Sequence, residues 1–295
     1  MFNPDRILDN DRTTLFSNQI SPSVSQRLVD ELPVLVVTHP KVRAAIALQG
    51  AHLLAWQPEG EEPVLWMSSA SAFKEGVAIR GGIPICWPWF GPAGKPSHGF
   101  ARNVAWELTD HKETDEDVVL TLTLKSSPET LELWPHAFTL TARFTLGATC
   151  HIELESTGDF EANSALHTYF NIGDIADVTI KGLGNSFIDK VDGAKTKQED
   201  GDLTFTGQTD RIYTQPQATS EIVDPVLKRT LVVAHENNAD VVAWNPGSAL
   251  SVSMADMPDD GYKTMVCVET AQVSHTHTST HAAPARLAVT FSVRK

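Results

Sequence analysis

The sequence predicts an all-β protein, one large antiparallel β-sandwich spanning residues 1–295 with few short helices, and three observations lead there. Apolar and polar residues alternate at period two in one segment after another. The alternating runs are short and close on Gly, Pro, Asn or Asp. Helical periodicity is nearly absent: "SPSVSQRLVDEL" (21–32) is the one stretch that reads as a helix, with Ser21 as N-cap and Pro22 at the first helical position, where a missing N–H costs nothing.

Taken in order, the strand candidates begin with "PVLVVTH" (33–39), "RAAIALQG" (43–50) and "AHLLAW" (51–56). "VVLTLTLKSS" (118–127) sets Leu120, Leu122 and Leu124 on one face. "AFTLTARFTL" (137–146) does the same with Phe138, Leu140, Ala142, Phe144 and Leu146, and "HIELES" (151–156) follows after a "GAT" turn. "DVTIKGL" (177–183), "DVVAWNPG" (240–247) and "RLAVTFSVR" (286–294) complete the series. The acidic stretches "HKETDED" (111–117) and "KTKQEDGD" (195–202) read as hairpin loops. The chain shows neither an internal repeat nor a low-complexity segment, which favours a single domain.

Composition narrows the partners. Apolar residues form 41% of the 295, enough for a sizeable core. A formal net charge of −14 argues against nucleic acid or an anionic membrane, both of which need a basic face. A small anion would need its own cluster of cations. Cys86, Cys150 and Cys267 are odd in number and lack CxxC spacing, as expected of reduced thiols in a cytoplasmic protein. The N-terminal "MFNPDRILDNDRTTLF" lacks a basic start followed by an apolar run, so no secretory signal is expected.

Three segments break the alternation. "RGGIPICWPWFGPAGKPSHGFARNVAWEL" (80–108) carries Arg80, His98 and Arg102; "SALHTYFNIGDI" (164–175) carries His167; "MVCVETAQV" (265–273) carries Glu269. Singly, each has a plain structural reading as a rim histidine, an edge carboxylate or a turn arginine. Jointly they suit a defined chemistry. An imidazole facing a carboxylate makes an acid–base pair, worth about 10²- to 10⁴-fold per positioned proton transfer. Two arginines hold a phosphate through charge-assisted bonds. Trp87 and Trp89 would offer flat faces to a sugar ring, and Gly81 and Gly82 would let backbone approach a ligand closely.

Five motifs in order, "RGGIPICWPWFG", "HGFARNVAWEL", "HTYFNIGDI", "TDRIY" and "VCVET", resemble those of the glucose-6-phosphate 1-epimerases (hexose-6-phosphate mutarotases), a branch of the aldose 1-epimerase or galactose mutarotase-like superfamily. The likeness runs from about residue 35 to the C-terminus. It implies a galactose mutarotase-like supersandwich with its site in a cleft on one sheet. It implies His167 as general acid, Glu269 as general base, Arg80 and Arg102 as phosphate and sugar ligands, and Asp210 as acceptor for sugar hydroxyls. His98 would line the cleft, and Ser97 stands where some members carry a binding glutamine. The implied reaction opens and recloses a cyclic hemiacetal without redox change, so no cofactor is expected. The substrate would be a hexose 6-phosphate, with glucose, galactose and mannose all open, as is the oligomeric state.

Other readings fit less well. In "SHTHTSTH", His275 and His277 would share a face on a strand, but no cysteine or carboxylate lies within the run to complete a zinc set. It reads as an exposed loop with His281, and no metal site is expected. A glycosidase needs two carboxylates flanking the bond. A sugar-phosphate binder without turnover has no use for a matched acid and base, and an epimerase of unphosphorylated aldoses has no use for the arginine pair.

Overall fold

The computed structural model describes residues 18–295, so the leader reading of residues 1–16 lies outside the described residues. Five strands, β1 (Asn18–Ser21), β2 (Val24–Val29), β3 (Leu32–His39), β4 (Val42–Ala47) and β5 (His52–Pro58), pair in sequence as one antiparallel sheet. The next strands are β6 (Ile85–Cys86), β7 (Glu107–Glu113) and β8 (Asp117–Lys125), followed by helix α1 (Pro128–Leu133). Then come β9 (Thr139–Gly147), β10 (Cys150–Thr157), β11 (Phe160–Leu166), β12 (Tyr169–Asn171), β13 (Thr179–Lys181), β14 (Ser186–Asp189) and β15 (Lys195–Gln198). The chain finishes with β16 (Thr209–Tyr213), β17 (Thr219–Asp224), β18 (Arg229–Glu236), β19 (Asp240–Asn245), helix α2 (Gly247–Ser253), β20 (Met265–Ser279) and β21 (Ala285–Arg294).

Two eight-stranded sheets dominate. One runs β13-β17-β18-β21-β10-β9-β8-β7; the other runs β15-β14-β16-β19-β20-β11-β6, with β12 also on β20. Alternation places their inner faces as the sequence predicts: Leu120, Phe144, Ile152 and Val289 lie opposite one another in a single cross-strand row, all buried. Burying each such side chain contributes about 1.5–3 kcal/mol, and a one-residue slip would turn the whole row outward. One core cluster takes residues from all three sheets, including Leu35 and Ile46, Leu120 and Phe291, Val241 and Val268.

β20 has a second face that matters more for function. Val266 and Val268 point into the core, so Met265, Cys267, Glu269 and Ala271 point the other way. Register extends that face sideways. Glu269 lies opposite Val242 and Cys267 opposite Trp244, while Asp210 lies opposite Trp244 from the far side.

Several sequence expectations are corrected. Residues 21–32 form no helix. Pro22 and Ser23 make the turn of the β1–β2 hairpin, and Asp30, at φ 49°, helps turn β2 into β3. A helix this short is marginal without packing, whereas the hairpin buries Val24, Val29 and Leu32. The same Ser-Pro signal does start a helix at α1, where Ser127 and Thr130 form a reciprocal capping box. The stretch 195–202 is not all loop, since β15 pairs with β14 as an edge strand. His275 and His277 lie within β20 rather than in a loop; His281 alone follows it. No helix among the described residues is long and apolar enough to cross a membrane.

Candidate active site

His167 stands just past β11, where its N–H donates to Pro84 O at 3.0 Å and aims the imidazole over β20. There Nδ1 lies 3.4 Å from Glu269 Oε1. Both residues are withdrawn from water, at 7% and 1% exposure. The imidazole stacks on Tyr169, with centroids 4.9 Å apart and planes 9° apart, and meets the edges of His98 and Trp244 at 5.5 and 6.1 Å. Neither His167 Nδ1 nor Glu269 Oε2 has a hydrogen-bond partner.

Burial, reinforced by His98, Arg102 and Arg80, holds the His167 pKa well below the usual histidine range. Burial, reinforced by Asp210, pushes Glu269 well above the carboxylate range. Burial thus disfavours charge on both members of the pair.

Arg80 is anchored at both ends of its guanidinium. Nε and Nη2 reach Asp256 Oδ2 at 3.1 and 3.0 Å, and Nη1 donates to Tyr169 Oη at 2.9 Å. That leaves two of its five N–H donors unspent. Arg102 differs. It sits on a short 3-10 turn (Ala101–Asn103), donates from Nη2 to Ser97 O at 2.9 Å, and meets no carboxylate among the described residues. Its Nε is buried without a partner.

His98 adopts φ 64° and accepts a hydrogen bond at Nδ1 from Gly91 N–H; burial first, then Arg102, Arg80 and Lys190, push its pKa down to about 3. It therefore meets His167 as a neutral ring. Ser97 is exposed, and its hydroxyl is turned to Gly91 O. Asp210 is half-buried on the same sheet face as Glu269, with its pKa raised by burial.

One of the two expected sugar platforms, Trp87, is corrected. Trp87 is fully buried, ringed by Phe100, Trp134, Phe138 and Phe160 at 4.7–5.8 Å. Trp89 is half-buried, donates to Pro96 O, and has Gly94 against its ring, where an added Cβ would come to 2.5 Å. Gly81 and Gly82 serve the protein's own packing. Both have positive φ, and a Cβ on them would come within 2.6 Å of Trp66 O and 2.3 Å of Leu53 O respectively.

Sequence reasoning missed Tyr169, Asp256, Trp244 and Lys190. Tyr169 was visible inside "HTYF", and Trp244 by alternation along "DVVAWNPG". Asp256 arrives from the loop after α2, and Lys190 from the end of β14, with no pattern that ties either to the cleft.

The family model described as aldose 1-epimerase matches residues 33–282. A relative from Escherichia coli (strain K12), named "Putative glucose-6-phosphate 1-epimerase", is 58% identical over 281 residues, covering 94% of this chain and 96% of the relative. A relative of the same name from Cenchrus ciliaris is 36% identical, covering 78% of this chain and 75% of its own. The crystal structure of a "putative mutarotase" from Salmonella typhimurium superposes with a TM-score of 0.95 at 55% identity, covering 99% of both chains.

Proposed function

The chain belongs to the aldose 1-epimerase family, and from that membership we propose that it interconverts the α and β anomers of D-glucose 6-phosphate. The observation that carries this reading is the adjacency of His167 and Glu269, 3.4 Å apart with unpartnered polar atoms. Opening a hemiacetal takes a proton from the anomeric hydroxyl and gives one to the ring oxygen. Both oxygens are bonded to the same carbon, so acid and base must stand side by side. A glycosidase keeps its two carboxyl groups about 5 Å apart or more.

In this reading Glu269 removes the anomeric proton while His167 protonates the ring oxygen. The ring opens to the aldehyde, the C1–C2 bond rotates, and closure runs the transfers in reverse. The cycle starts with His167 protonated and Glu269 ionised, a charge separation that burial opposes and that the negative charge of a bound phosphate favours on His167. Trp244, half-buried on the same face, lies against the edge of His167 and Tyr169 and bounds the sugar, with Asp210 accepting from its hydroxyls. Arg102 supplies most of the pull on phosphate, since no carboxylate among the described residues offsets it; Arg80 adds its two free donors in a fixed orientation. His98 positions His167 by its ring edge, and Ser97 contributes its carbonyl to Arg102.

Residues 1–295 are taken as one domain, in keeping with a core that draws on all three sheets. Three buried, unpaired cysteines and a phosphorylated substrate favour the cytoplasm. The test is anomer exchange by NMR on glucose 6-phosphate and glucose in parallel, with EDTA present. Exchange accelerated for the phosphate ester is expected. Equal acceleration of both sugars moves the assignment to unphosphorylated aldoses, and acceleration of neither removes the enzyme reading.

A further inference from the structure

Ring opening makes no use of the thiol that lies beside the acid–base pair. Cys267 stands two residues before Glu269 on β20, so both side chains leave the same side of the strand. One ligand atom each from His167, Cys267 and Glu269 lie within 4.8 Å of one another, and all three residues are buried. Two of the three groups have polar capacity unspent: His167 Nδ1 and Glu269 Oε2 are buried without hydrogen-bond partners. The Nδ1–Oε1 separation of 3.4 Å is close to that of two ligands on one tetrahedral ion with bonds of about 2 Å.

Imidazole nitrogen, thiolate sulfur and carboxylate oxygen are the three ligand types that zinc takes in proteins, and three protein ligands with a fourth position open to water is the pattern of its non-structural sites. The thiolate selects soft and borderline ions over magnesium or calcium, which prefer all-oxygen shells. We propose that His167, Cys267 and Glu269 form a binding site for a thiophilic divalent cation, Zn2+, which stops turnover when it is occupied. Binding forms one bond each from zinc to nitrogen, sulfur and oxygen. The thiol proton and any proton on the ligating atoms of His167 or Glu269 leave to solvent, and nothing is oxidised or reduced. Asp210 favours a dication at this place, while Arg80 and Arg102 oppose it, which keeps the ion exchangeable rather than resident. The inhibitory part rests on the acid–base reading of His167 and Glu269; the binding part does not.

The probe is Co2+, a zinc substitute whose thiolate complexes absorb by charge transfer in the near ultraviolet. Wild-type protein should bind one Co2+ with that band, and Zn2+ should abolish it. Cys267→Ala should lose the band, keep its metal-free anomer exchange, and need at least about tenfold more Zn2+ for half-inhibition, since losing a ligand costs no less than losing its supporting contact. Cys267→Ser, a one-atom change, repeats the test should the alanine variant not fold. Glu269→Gln should weaken Co2+ binding although its own exchange is lost, and Cys150→Ala, in the other large sheet, should keep the band. A wild type without the band, a band that survives Cys267→Ala, or equal Zn2+ inhibition of wild type and Cys267→Ala overturns the proposal. A cobalt band on a wild type that shows no anomer exchange upholds the metal site and overturns the function reading instead.

Discussion

In the proposed cleft the floor, His167 with Glu269, and the rim, Arg80 with Arg102, both gather ionisable side chains, but they treat charge in opposite ways. On the floor the two groups are almost sealed from water and each keeps a polar atom unpartnered. Desolvation then sets their pKa values, and a small change in surroundings decides where a proton sits. At the rim Tyr169 and Asp256 hold Arg80 charged against the cost of burial. Arg80 has Asp256 and Tyr169 to hold it, at 24% side-chain exposure, and among the described residues Arg102 is anchored only by a backbone carbonyl. In the proposed mechanism the floor moves protons and the rim holds an anion in place. A variant of the floor should therefore appear in kcat, and a variant of the rim in KM.

The largest expected effect tests the floor. His167→Ala and Glu269→Ala should each lower kcat for anomer exchange by about 10²- to 10⁴-fold, the range of one positioned proton transfer, with the far-UV circular dichroism of the wild type. Wild-type turnover in either variant removes the acid–base assignment. Next comes the rim. Arg102→Ala should raise KM for glucose 6-phosphate by about ten- to a hundredfold, matching the roughly 1.5–3 kcal/mol of a hydrogen bond to a charged group. KM for free glucose should barely move. An equal rise for both sugars would mean that Arg102 does not hold phosphate.

Arg80 sharpens the contrast within the rim. Its charge is offset by Asp256, so Arg80→Ala should raise KM for the sugar phosphate less than Arg102→Ala does. Asp256→Asn keeps the side-chain shape and removes the competing negative charge. It should lower KM for glucose 6-phosphate a few-fold at most, because the pair is partly solvated and such pairs contribute about 1 kcal/mol or less. A raised KM in Asp256→Asn would show that Asp256 matters by orienting Arg80 rather than by competing for it.

The same contrast explains what the sequence could say. Residues fixed by strand periodicity were legible: the inner row of Leu120, Phe144, Ile152 and Val289 follows from alternation alone. His167 and Glu269 were legible as candidates because their segments break the alternation, and their roles came from the resemblance of the motifs around them. The glycines and tryptophans of residues 80–91 were legible as special but not as to purpose. Whether a tryptophan faces a ligand or a core depends on long-range packing, and Trp87 is enclosed by α1's neighbour Trp134 and by β9 and β11 side chains, at or just outside strand ends far along the chain. Asp256 was invisible for the same reason, being 176 residues from the arginine it pairs with. A Ser-Pro pair stands at two places and starts a helix at one, which is not the place the sequence pattern singled out. Ser127-Pro128 is followed by Thr130, which completes the cap, whereas Ser21-Pro22 is followed by a strand that β3 takes up.

The smallest effect concerns Ser97, where some members of the family carry a glutamine. The hydroxyl of Ser97 is turned to Gly91 O, and the contact with Arg102 comes from its carbonyl, which any residue supplies. Ser97→Ala should therefore change KM for glucose 6-phosphate by no more than the worth of one net hydrogen bond, about 1 kcal/mol. Ser97→Gln offers a longer amide at the exposed rim beside Arg102, and it should lower KM for the phosphate ester slightly while leaving kcat unchanged. If Ser97→Ala instead raised KM as much as Arg102→Ala, the hydroxyl would have to leave Gly91 for the substrate, and the rim would be less preformed than its hydrogen bonds indicate. A change in kcat would be more telling still, because it would mean that a solvated rim residue reaches the proton balance of the floor, 3.4 Å pair and all, through Arg102 and His98.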